Sequence, residues 1–412
     1  MNRSIPTYDV AIVGAGVGGT SAAEAVLDQD DGRRVLLLNE EEWAPYDRPP
    51  LSKDVLLGQA QTTDFALLND ALCANPNLTI RTGVGALRID RQDKQLTLTD
   101  GSVAGYGSLI LATGSKTRRL DPSIVDAAAT GSIFYLKTLG DAQALRTLLA
   151  AGDRRNVVVV GAGFIGLEVA AAATLLGCDV TVLEAGPRIV GRGAPRPVSE
   201  FLKARHEQAG VRFMLNTQAT RLAAAGEKVR ITLSSGETLT ADTVVVGIGT
   251  TANDALASSA GILCDNGIVV DECCRTSDPS IYAIGDVARV SAAGAVRMEH
   301  WQAARSMGAV AARNACGGDE IHREVPWIWT DQYDENIQFL GHSSEQNHQV
   351  RRAGASDRKW IVFEKKDDIV VGASLVNSGR ERRTVERLIA RRSPIPDDRL
   401  MDPQFDLKSI LG

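Results

Sequence analysis

Two glycine triplets of the same spacing, G-x-G-x-x-G, are the residues whose type and pattern point most clearly to chemistry. They are Gly14, Gly16 and Gly19, followed much later by Gly161, Gly163 and Gly166. In such a triplet the first glycine permits a tight turn, the second lets backbone approach a pyrophosphate, and the third lets a helix pack against a strand. A single triplet is a weak signal, but two in one chain predict two dinucleotide-binding units.

The elements around each triplet support this interpretation. Apolar runs typical of buried strands precede the triplets at 8–13 and 157–160, and helical runs follow them, the first over 20–29. A second apolar strand comes after each helix, at 34–38 in the first unit and ending at Glu184 in the second. This order places the N-terminus of each helix against the phosphate charge.

An acidic residue follows the second strand of each unit, where a carboxylate can accept a hydrogen bond from an adenosine ribose. Glu40 is the candidate in the first unit, although it lies a few residues later than usual and a solvated loop acid is the alternative. Glu184 is the candidate in the second unit and would repel a 2′-phosphate, so NADH is expected over NADPH. Arg188 and Arg192 follow it and would weaken that preference.

Other polar residues lie where a cofactor could contact them. Pro45, Pro49 and Pro50 stiffen a loop that holds Arg48, a partner for a pyrophosphate, and Lys53, which opens a helix beside a cofactor ring. A plain surface pair is the alternative for these two cations.

Two buried strands also end on residues suited to a ligand. The run 109–112 ends in Thr113 and Gly114, and the run 281–284 ends in Gly285 and Asp286. Asp286 would bind a polyhydroxylated chain such as ribitol, with a helix N-cap as the alternative.

Composition excludes several classes of protein. The 412 residues are 44% hydrophobic and 23% charged, which is ordinary for a folded protein of two or three domains. A net charge of −6 opposes nucleic-acid binding. No apolar stretch of about 20 residues lacks glycine or charge, so no membrane span is expected. The N-terminus has no signal-peptide pattern, six cysteines without C-x-x-C suggest reduced, mostly buried thiols, and five scattered histidines suggest no metal. A cytoplasmic protein is predicted.

The two units share a layout that ends in a buried strand closing on glycine, LILATG in the first and VVVGIG in the second. One unit is therefore expected to be inserted in the other. From Pro326 the pattern changes to alternating strands at 327–329, 337–341, 359–363 and 369–374, followed by a helix over 380–392. This predicts a third, α+β domain in which only 394–403 is loose.

Several stretches carry a family resemblance: YDVAIVGAGVGG, PYDRPPLSKD, LILATGS, VVVVGAGFIGLEVAA, CRTSDPSIYAIGDVA and PWIWTDQYDENIQFLG. The chain resembles, over essentially its whole length, the FAD-dependent NAD(P)H:ferredoxin reductases of bacterial Rieske oxygenases and haem-thiolate monooxygenases, the putidaredoxin-reductase-like group. The resemblance implies an α/β fold of glutathione-reductase type with two Rossmann-like domains, one inserted in the other, and a C-terminal α+β domain. It implies FAD binding by 1–115 and 250–325, NAD binding by 116–249 and a C-terminal domain over 326–412.

The same resemblance implies the residues that hold each cofactor. For FAD these are Gly14, Gly16, Gly19, Glu40, Arg48, Lys53, Thr113, Gly114 and Asp286, with Trp301 and Trp329 near the flavin and Asp331 and Gln332 beside them. For NADH they are Gly161, Gly163, Ile165, Gly166, Glu184 and Arg192. The stretch GIGTTAND departs from the family pattern, since it lacks the arginine and proline that usually follow its glycines.

Lys53 and Glu168 are the expected catalytic pair. Glu168 lies two residues past Gly166, on the first turn of the helix that faces the cofactor. A cation beside the flavin, neutralised by a carboxylate, would favour the reduced ring, and the two side chains are expected to form an ion pair. The alternative for Glu168 is a carboxylate that only complements the helix dipole.

The electron acceptor implied is a [2Fe-2S] ferredoxin, of Rieske or plant/adrenodoxin type, that supplies an oxygenase of aromatic hydrocarbon catabolism. A basic stripe opposite Val385 and Ile389 would dock it, with a solvated helix face as the alternative. The stripe consists of Arg380, Arg383, Arg387 and Arg391. A monomer or weak dimer is expected.

Related flavoproteins with other chemistry need cysteines that this chain lacks. A disulphide reductase needs a redox cysteine pair, and an NADH oxidase or peroxidase a single reactive cysteine, in the segment 43–56, which contains none. A redox-sensing interaction module of the apoptosis-inducing-factor type remains the alternative function.

Overall fold

The computed structural model describes residues 5–29, 31–152, 155–291 and 296–411. These residues divide into two units. Unit one takes the described residues of 1–48, 61–116 and 250–324, and unit two those of 49–60, 117–249 and 325–412.

The first glycine triplet follows a central parallel strand of a mixed β-sheet. Residues 5–117 contain the strands β1 (Thr7–Val13), β2 (Val35–Asn39), β3 (Leu78–Thr82), β4 (Ala86–Asp90), β5 (Gln95–Leu98), β6 (Val103–Leu111) and β7 (Ser115–Thr117), and the helices α1 (Val17–Leu27), α2 (Asp54–Leu57) and α3 (Asp70–Cys73). The sheet order is β3-β2-β1-β6-β5-β4. Every residue of β2, VLLLN, is buried, as expected for a parallel strand covered on both faces.

The second triplet lies in a sheet of the same design. Residues 117–249 contain β8 (Ile133–Phe134), β9 (Asn156–Val160), β10 (Asp179–Leu183), β11 (Arg212–Met214), β12 (Ala219–Ala225), β13 (Lys228–Leu233), β14 (Thr238–Ala241) and β15 (Thr243–Val246), with α4 (Leu139–Leu149), α5 (Phe164–Leu175) and α6 (Arg196–Gln208). The parallel order β11-β10-β9-β15-β8 repeats the arrangement β3-β2-β1-β6 of unit one. Both glycine loops therefore leave the carboxyl end of a central strand.

Unit one is completed by a return of the chain. Residues 250–315 contain β16 (Thr250–Ala252), β17 (Ile268–Val270), β18 (Ile281–Ala283), β19 (Ala288–Val290) and β20 (Val296–Arg297), with α7 (Ala255–Ser259) and α8 (Trp301–Ala315). Strand β18 pairs with β6 in parallel and brings Asp286 to the same sheet edge as the first glycine loop. Helix α8 packs on α1, where Gly308 permits a close approach because a Cβ there would lie 2.4 Å from the Gly18 carbonyl oxygen.

The last part of unit two is an antiparallel sheet with helices on it. It contains β21 (Trp327–Gln332), β22 (Glu335–Gly341), β23 (His348–Ser356), β24 (Lys359–Lys366) and β25 (Ile369–Val376), with α9 (Arg382–Arg391) and α10 (Asp397–Met401). The order is β21-β22-β25-β24-β23, and α9 packs on β25 and β22. The predicted fold class, with two Rossmann-like sheets and a C-terminal α+β domain, is confirmed.

Three local predictions were wrong. Strand β23 was not predicted because most of its residues are exposed and it has little apolar alternation. The segment 394–403 is not loose: it contains α10, whose Asp397 pairs with the buried Lys365. The guanidinium of Arg352 also donates to backbone carbonyls of that C-terminal segment, at 2.5 Å for Asp402 and 2.8 Å for Phe405.

The third error concerns the thiols, which were predicted to be mostly buried, whereas two of the six are. Among the cysteines, Cys178 and Cys274 are buried, Cys73 is exposed, and the other three are half-buried.

Candidate active site

In the first glycine loop, packing requires two of the three glycines and leaves the third free for a ligand. Gly14 has φ +108°, and a Cβ on it would lie 2.2 Å from the Ala112 carbonyl oxygen. A Cβ on Gly19 would lie 1.8 Å from the Gly14 oxygen, but one on Gly16 would meet no described atom within 4 Å. The open side of Gly16 has room for a pyrophosphate.

The second loop repeats this pattern. Gly161 has φ +103° and a Cβ would lie 2.4 Å from the Gly247 carbonyl oxygen, while one on Gly166 would lie 2.2 Å from the Gly161 oxygen. Gly163, like Gly16, faces space that no described atom within 4 Å occupies. The two loops therefore share their conformation as well as their sequence.

The helices that follow the loops begin on glycine. Gly16 is the N-cap of α1 and Gly163 that of α5, and the first turns of both helices carry no acidic side chain. The prediction that Glu168 lies on the first turn is therefore wrong: it is the fifth residue of α5 and lies on the second turn. Glycine has no side chain to accept from the first N–H groups, so these donors and the positive end of the helix dipole are left for an anion. Both loops thus fit a dinucleotide pyrophosphate.

The next FAD candidates of unit one lie in two places, the segment after β2 and the segment after β6. Glu40 is exposed directly after β2, whereas Arg48 donates to the Glu41 carboxylate at 2.8 Å. Thr113 donates its hydroxyl to the Asn253 carbonyl at 2.7 Å, and Gly114 has φ +67°.

Two further contacts of unit one place predicted residues on partners that the sequence did not suggest. Asp286 accepts from the Ser115 hydroxyl at 2.7 Å, and Trp301 donates its indole N–H to Asp47 at 2.7 Å. Ser115 and Asp47 lie within the quoted stretches LILATGS and PYDRPPLSKD, but nothing in their own spacing marked them.

Glu184 accepts one hydrogen bond from the second glycine loop and one from the turn that follows Glu184 itself. Oε2 accepts from the Ala162 N–H at 2.8 Å and Oε1 from the Gly186 N–H at 2.7 Å. Each oxygen keeps lone-pair capacity for a ribose hydroxyl. Ile165 is 49% exposed at the start of α5, and Arg192 is exposed after β10.

Arg188, by contrast, is occupied within unit two. Its guanidinium donates to the Ala194 carbonyl at 2.7 Å and pairs with Glu345 at 2.8 Å. Arg192 is therefore the better placed of the two arginines to reach a 2′-phosphate.

The predicted Lys53–Glu168 ion pair is confirmed, with Nζ 3.1 Å from Oε1. The Glu168 side chain is 3% exposed and that of Lys53 is 15% exposed. Burial raises the pKa of Glu168 above its usual range, against the opposing effects of Lys53 and two hydroxyl donors.

Those hydroxyl donors were not identified from the sequence. Ser52 donates to Oε2 of Glu168, and Thr330, on β21, donates to Oε1 at 2.6 Å. Ser52 is adjacent to the predicted Lys53, which is the one local signal that could have identified it. Thr330 is 162 residues from Glu168, so only the fold brings them together.

Trp329 lies in a stack of aromatic and basic side chains in unit two. Its ring centroid is 5.0 Å from that of Trp327, with 25° between the planes. The Arg382 guanidinium of α9 lies over the Trp327 ring, 4.4 Å from its centroid. Trp329 is therefore connected to α9 through Trp327.

Residues 8–308 match the family described as pyridine nucleotide-disulphide oxidoreductase. The chain belongs to this family. Residues 327–411 match a second family, described as reductase C-terminal. Since no cysteine lies in 43–56, this member of the pyridine nucleotide-disulphide oxidoreductases lacks the cysteines that disulphide chemistry needs there.

Comparison with solved structures shows which kinds of reductase this chain resembles. The ferredoxin reductase for the CYP199A2 system from Rhodopseudomonas palustris is 33% identical, with a TM-score of 0.92, over 98% of this chain and 100% of that one. The reductase in a covalent putidaredoxin reductase–putidaredoxin complex is 33% identical, with a TM-score of 0.91, over 98% of both chains. Fdr9 is 31% identical, with a TM-score of 0.84, over 98% of this chain and 99% of the other.

These findings define the class of enzyme. The protein is a pyridine nucleotide-dependent flavoprotein reductase that resembles the ferredoxin reductases of P450 systems. The family implies FAD and NAD(P)H as cofactors, and both glycine loops fit them. Among the described residues, no helix has the length and apolarity needed to cross a bilayer.

Proposed function

We propose that the protein is an NADH:ferredoxin oxidoreductase that passes electrons from NADH through FAD to a [2Fe-2S] ferredoxin. The ferredoxin would supply an oxygenase, of the kind that acts in aromatic hydrocarbon catabolism, in the cytoplasm. The observation that carries this proposal is the buried Lys53–Glu168 pair, whose carboxylate lies on α5, the helix after the second glycine loop. FAD, when bound, would supply the chemistry, since it accepts electrons as hydride and releases them singly.

We assign FAD to residues 1–115 and 250–325, where Gly16, Glu40 and Asp286 are its proposed ligands. NADH is assigned to residues 116–249, with 326–412 as a separate C-terminal domain. In this assignment Lys53 polarises the reacting ring, and Glu168 keeps the Lys53 ammonium in place through the 3.1 Å contact. No general acid or base is needed for hydride transfer, so both residues position and polarise.

Glu184 is proposed to select NADH. Its carboxylate would accept from a 2′-hydroxyl and repel a 2′-phosphate, while it also holds Ala162 of the glycine loop at 2.8 Å. Glu184→Ala should therefore lower kcat/KM for both coenzymes but raise the NADPH/NADH ratio by about tenfold. The ratio is the readout, and Glu207→Ala on the exposed face of α6 is the control. Comparable kcat/KM for NADPH and NADH in the unaltered enzyme would contradict the assignment.

Helix α9 is proposed as the ferredoxin-docking face. Arg383, Arg387 and Arg391 are exposed on it, whereas Val385 and Leu388 are buried beneath. Arg382 of the same helix lies over Trp327, which stacks on Trp329. A small acidic ferredoxin on this face would therefore lie a short way from Trp329, and charge complementarity would accelerate its association.

Charge reversal tests the docking face. Arg383→Glu with Arg387→Glu should reduce the rate of ferredoxin reduction by more than tenfold at low salt and flatten its dependence on ionic strength. Arg212→Glu with Arg221→Glu, both at exposed positions on other elements of unit two, is the matched control. Unchanged rates in the α9 variant would exclude docking there.

The function itself is tested by NADH-dependent cytochrome c reduction with and without added [2Fe-2S] ferredoxin. A reductase should require the ferredoxin for fast turnover. Slow turnover that ferredoxin does not accelerate would instead favour the redox-sensing interaction module.

A further inference from the structure

Glu168 is the end of a continuous chain of buried hydrogen bonds within unit two. Thr330 Oγ is 2.6 Å from Glu168 Oε1, and Gln332 Nε2 is 2.9 Å from Thr330 Oγ. His206 Nε2 is 2.7 Å from Gln332 Oε1, and the Tyr333 hydroxyl is 3.1 Å from His206 Nδ1. Thr330, Gln332 and His206 are each at most 2% exposed, so water does not compete along the chain.

The acceptor-only character of an ionised carboxylate sets the direction of every bond. Thr330 must donate to Glu168, so its oxygen must accept from the amide nitrogen of Gln332. The amide oxygen of Gln332 then faces His206, which must carry its proton on Nε2 and accept from Tyr333 on Nδ1. All four donors therefore point towards Glu168.

His206 is suited to this position because it is neutral. Burial lowers its pKa to about 4, with the Gln332 hydrogen bond opposing and Arg205 assisting. Arg205 lies over the Tyr333 ring at 4.3 Å and is itself paired with Asp334 at 3.1 Å. A neutral imidazole with one donor and one acceptor nitrogen continues the chain, whereas an imidazolium would donate from both nitrogens and break it at Tyr333.

We propose that His206 is a positioning residue for Glu168: by holding the Gln332 amide, it directs the Thr330 hydroxyl onto the carboxylate and keeps the Lys53–Glu168 pair ionised. Without His206 the amide can reverse and present its oxygen to Thr330, which then donates to Gln332 instead. Glu168 would keep Lys53 and Ser52 as partners but lose one donor. The role in hydride transfer rests on the proposed function, whereas the effect on Glu168 does not.

The test measures the pKa of Glu168 in the holoenzyme. The infrared carbonyl stretch of its protonated carboxyl group is recorded as a function of pH. The band is assigned by its loss in Glu168→Gln. In His206→Leu the carboxylate of Glu168 loses the hydrogen bond from Thr330, and its pKa should therefore rise by about one to two units. His206→Gln, which can still donate to Gln332, should restore it.

A double-mutant cycle separates positioning from a merely structural effect. Thr330→Val should raise the pKa of Glu168 by itself, and adding His206→Leu should then change it no further. Additive shifts, or an unchanged titration in His206→Leu, would overturn the proposal. If His206→Leu does not fold, the same measurement on Tyr333→Phe, which no longer holds the His206 tautomer, should show a raised pKa of Glu168, and no shift in that variant overturns the proposal. Gln332→Leu is the control, because it leaves no amide oxygen to compete for the Thr330 hydroxyl and should leave the pKa of Glu168 unchanged.

Hydride transfer from NADH, followed in a stopped-flow instrument by flavin bleaching, provides the second readout. In His206→Leu, the low-pH limb of the pH–rate profile should shift by the same amount as the pKa of Glu168. If the titration moves and the rate profile does not, the hydrogen-bond chain stands and the proposed role of Glu168 in hydride transfer fails.

Discussion

Replacement of Lys53 by Met should destabilise the protein in a way that grows with pH. The change leaves Glu168, whose side chain is 3% exposed, with only its hydroxyl donors. The carboxyl group then has two choices: it can stay charged without its cation, or it can bind a proton. Burial already raises its pKa in the presence of Lys53, so protonation is the less costly choice near pH 6.

The magnitude follows from the 3.1 Å separation of Nζ and Oε1. At an effective dielectric constant of about 20 the attraction is about 5 kcal/mol, part of which offsets desolvation of the pair. A carboxyl with a raised pKa in the folded state is stabilising below its ordinary pKa, and this contribution is lost as pH rises through the raised value. We expect Lys53→Met to cost about 1 kcal/mol near pH 6 and about 3 kcal/mol near pH 9.

Glu168→Gln should behave differently. It leaves Lys53, which is 15% exposed and 3.4 Å from the Pro49 carbonyl oxygen, free to reach water. Its cost should be smaller, about 1–2 kcal/mol, and independent of pH over this range. In the double variant Lys53→Met with Glu168→Gln, the loss of unfolding free energy near pH 9 should be at least 2 kcal/mol smaller than the sum of the two single losses. The reason is that no buried charge is left unpaired.

The assay is guanidinium unfolding of the FAD-saturated protein, followed by far-UV circular dichroism at both pH values. Lys203→Met, at the exposed pair with Glu207 on α6, is the matched control and should cost less than about 1 kcal/mol at either pH. Equal costs of Lys53→Met at both pH values, or simple additivity in the double variant, would refute the reasoning.

Three further outcomes are expected. Gly16→Val and Gly163→Val, at positions with open space around a Cβ, should reduce FAD content and NADH affinity respectively by about tenfold or more while circular dichroism stays unchanged; a lost fold would contradict the open geometry. The free energy of unfolding should fall by about 3 kcal/mol as pH decreases from about 6.5 to about 4, because His206 binds a proton in the unfolded state but stays neutral in the folded state. His206→Gln should flatten this part of the pH profile of the unfolding midpoint. Arg352→Met should release residues 395–411 at a cost of about 3 kcal/mol, seen as rapid proteolysis of that segment, whereas Arg351→Met, at the exposed neighbouring position, should not.

Local chemistry explains what the sequence determined. A glycine such as Gly14 or Gly161 is required by its own positive φ, a local constraint that is visible as residue type and spacing. The backbone that a Cβ there would strike, at Ala112 and at Gly247, lies in a distant part of the sequence. The fully apolar runs that became β2 and β9 are also a local signal and predict buried parallel strands. Strands with few apolar residues, such as β23, give no such signal.

Only the tertiary structure decided which groups surround Glu168. Its hydroxyl donors Ser52 and Thr330 lie 116 and 162 residues away in the sequence, and His206 is 126 residues from the Gln332 that it holds. Serine, threonine and glutamine are common, and a hydrogen bond between distant elements leaves no periodic pattern. The two glycine loops could therefore be identified from the sequence, while the electrostatic environment of Glu168, which the C-terminal strand β21 contacts through Thr330, depended on how the chain folds.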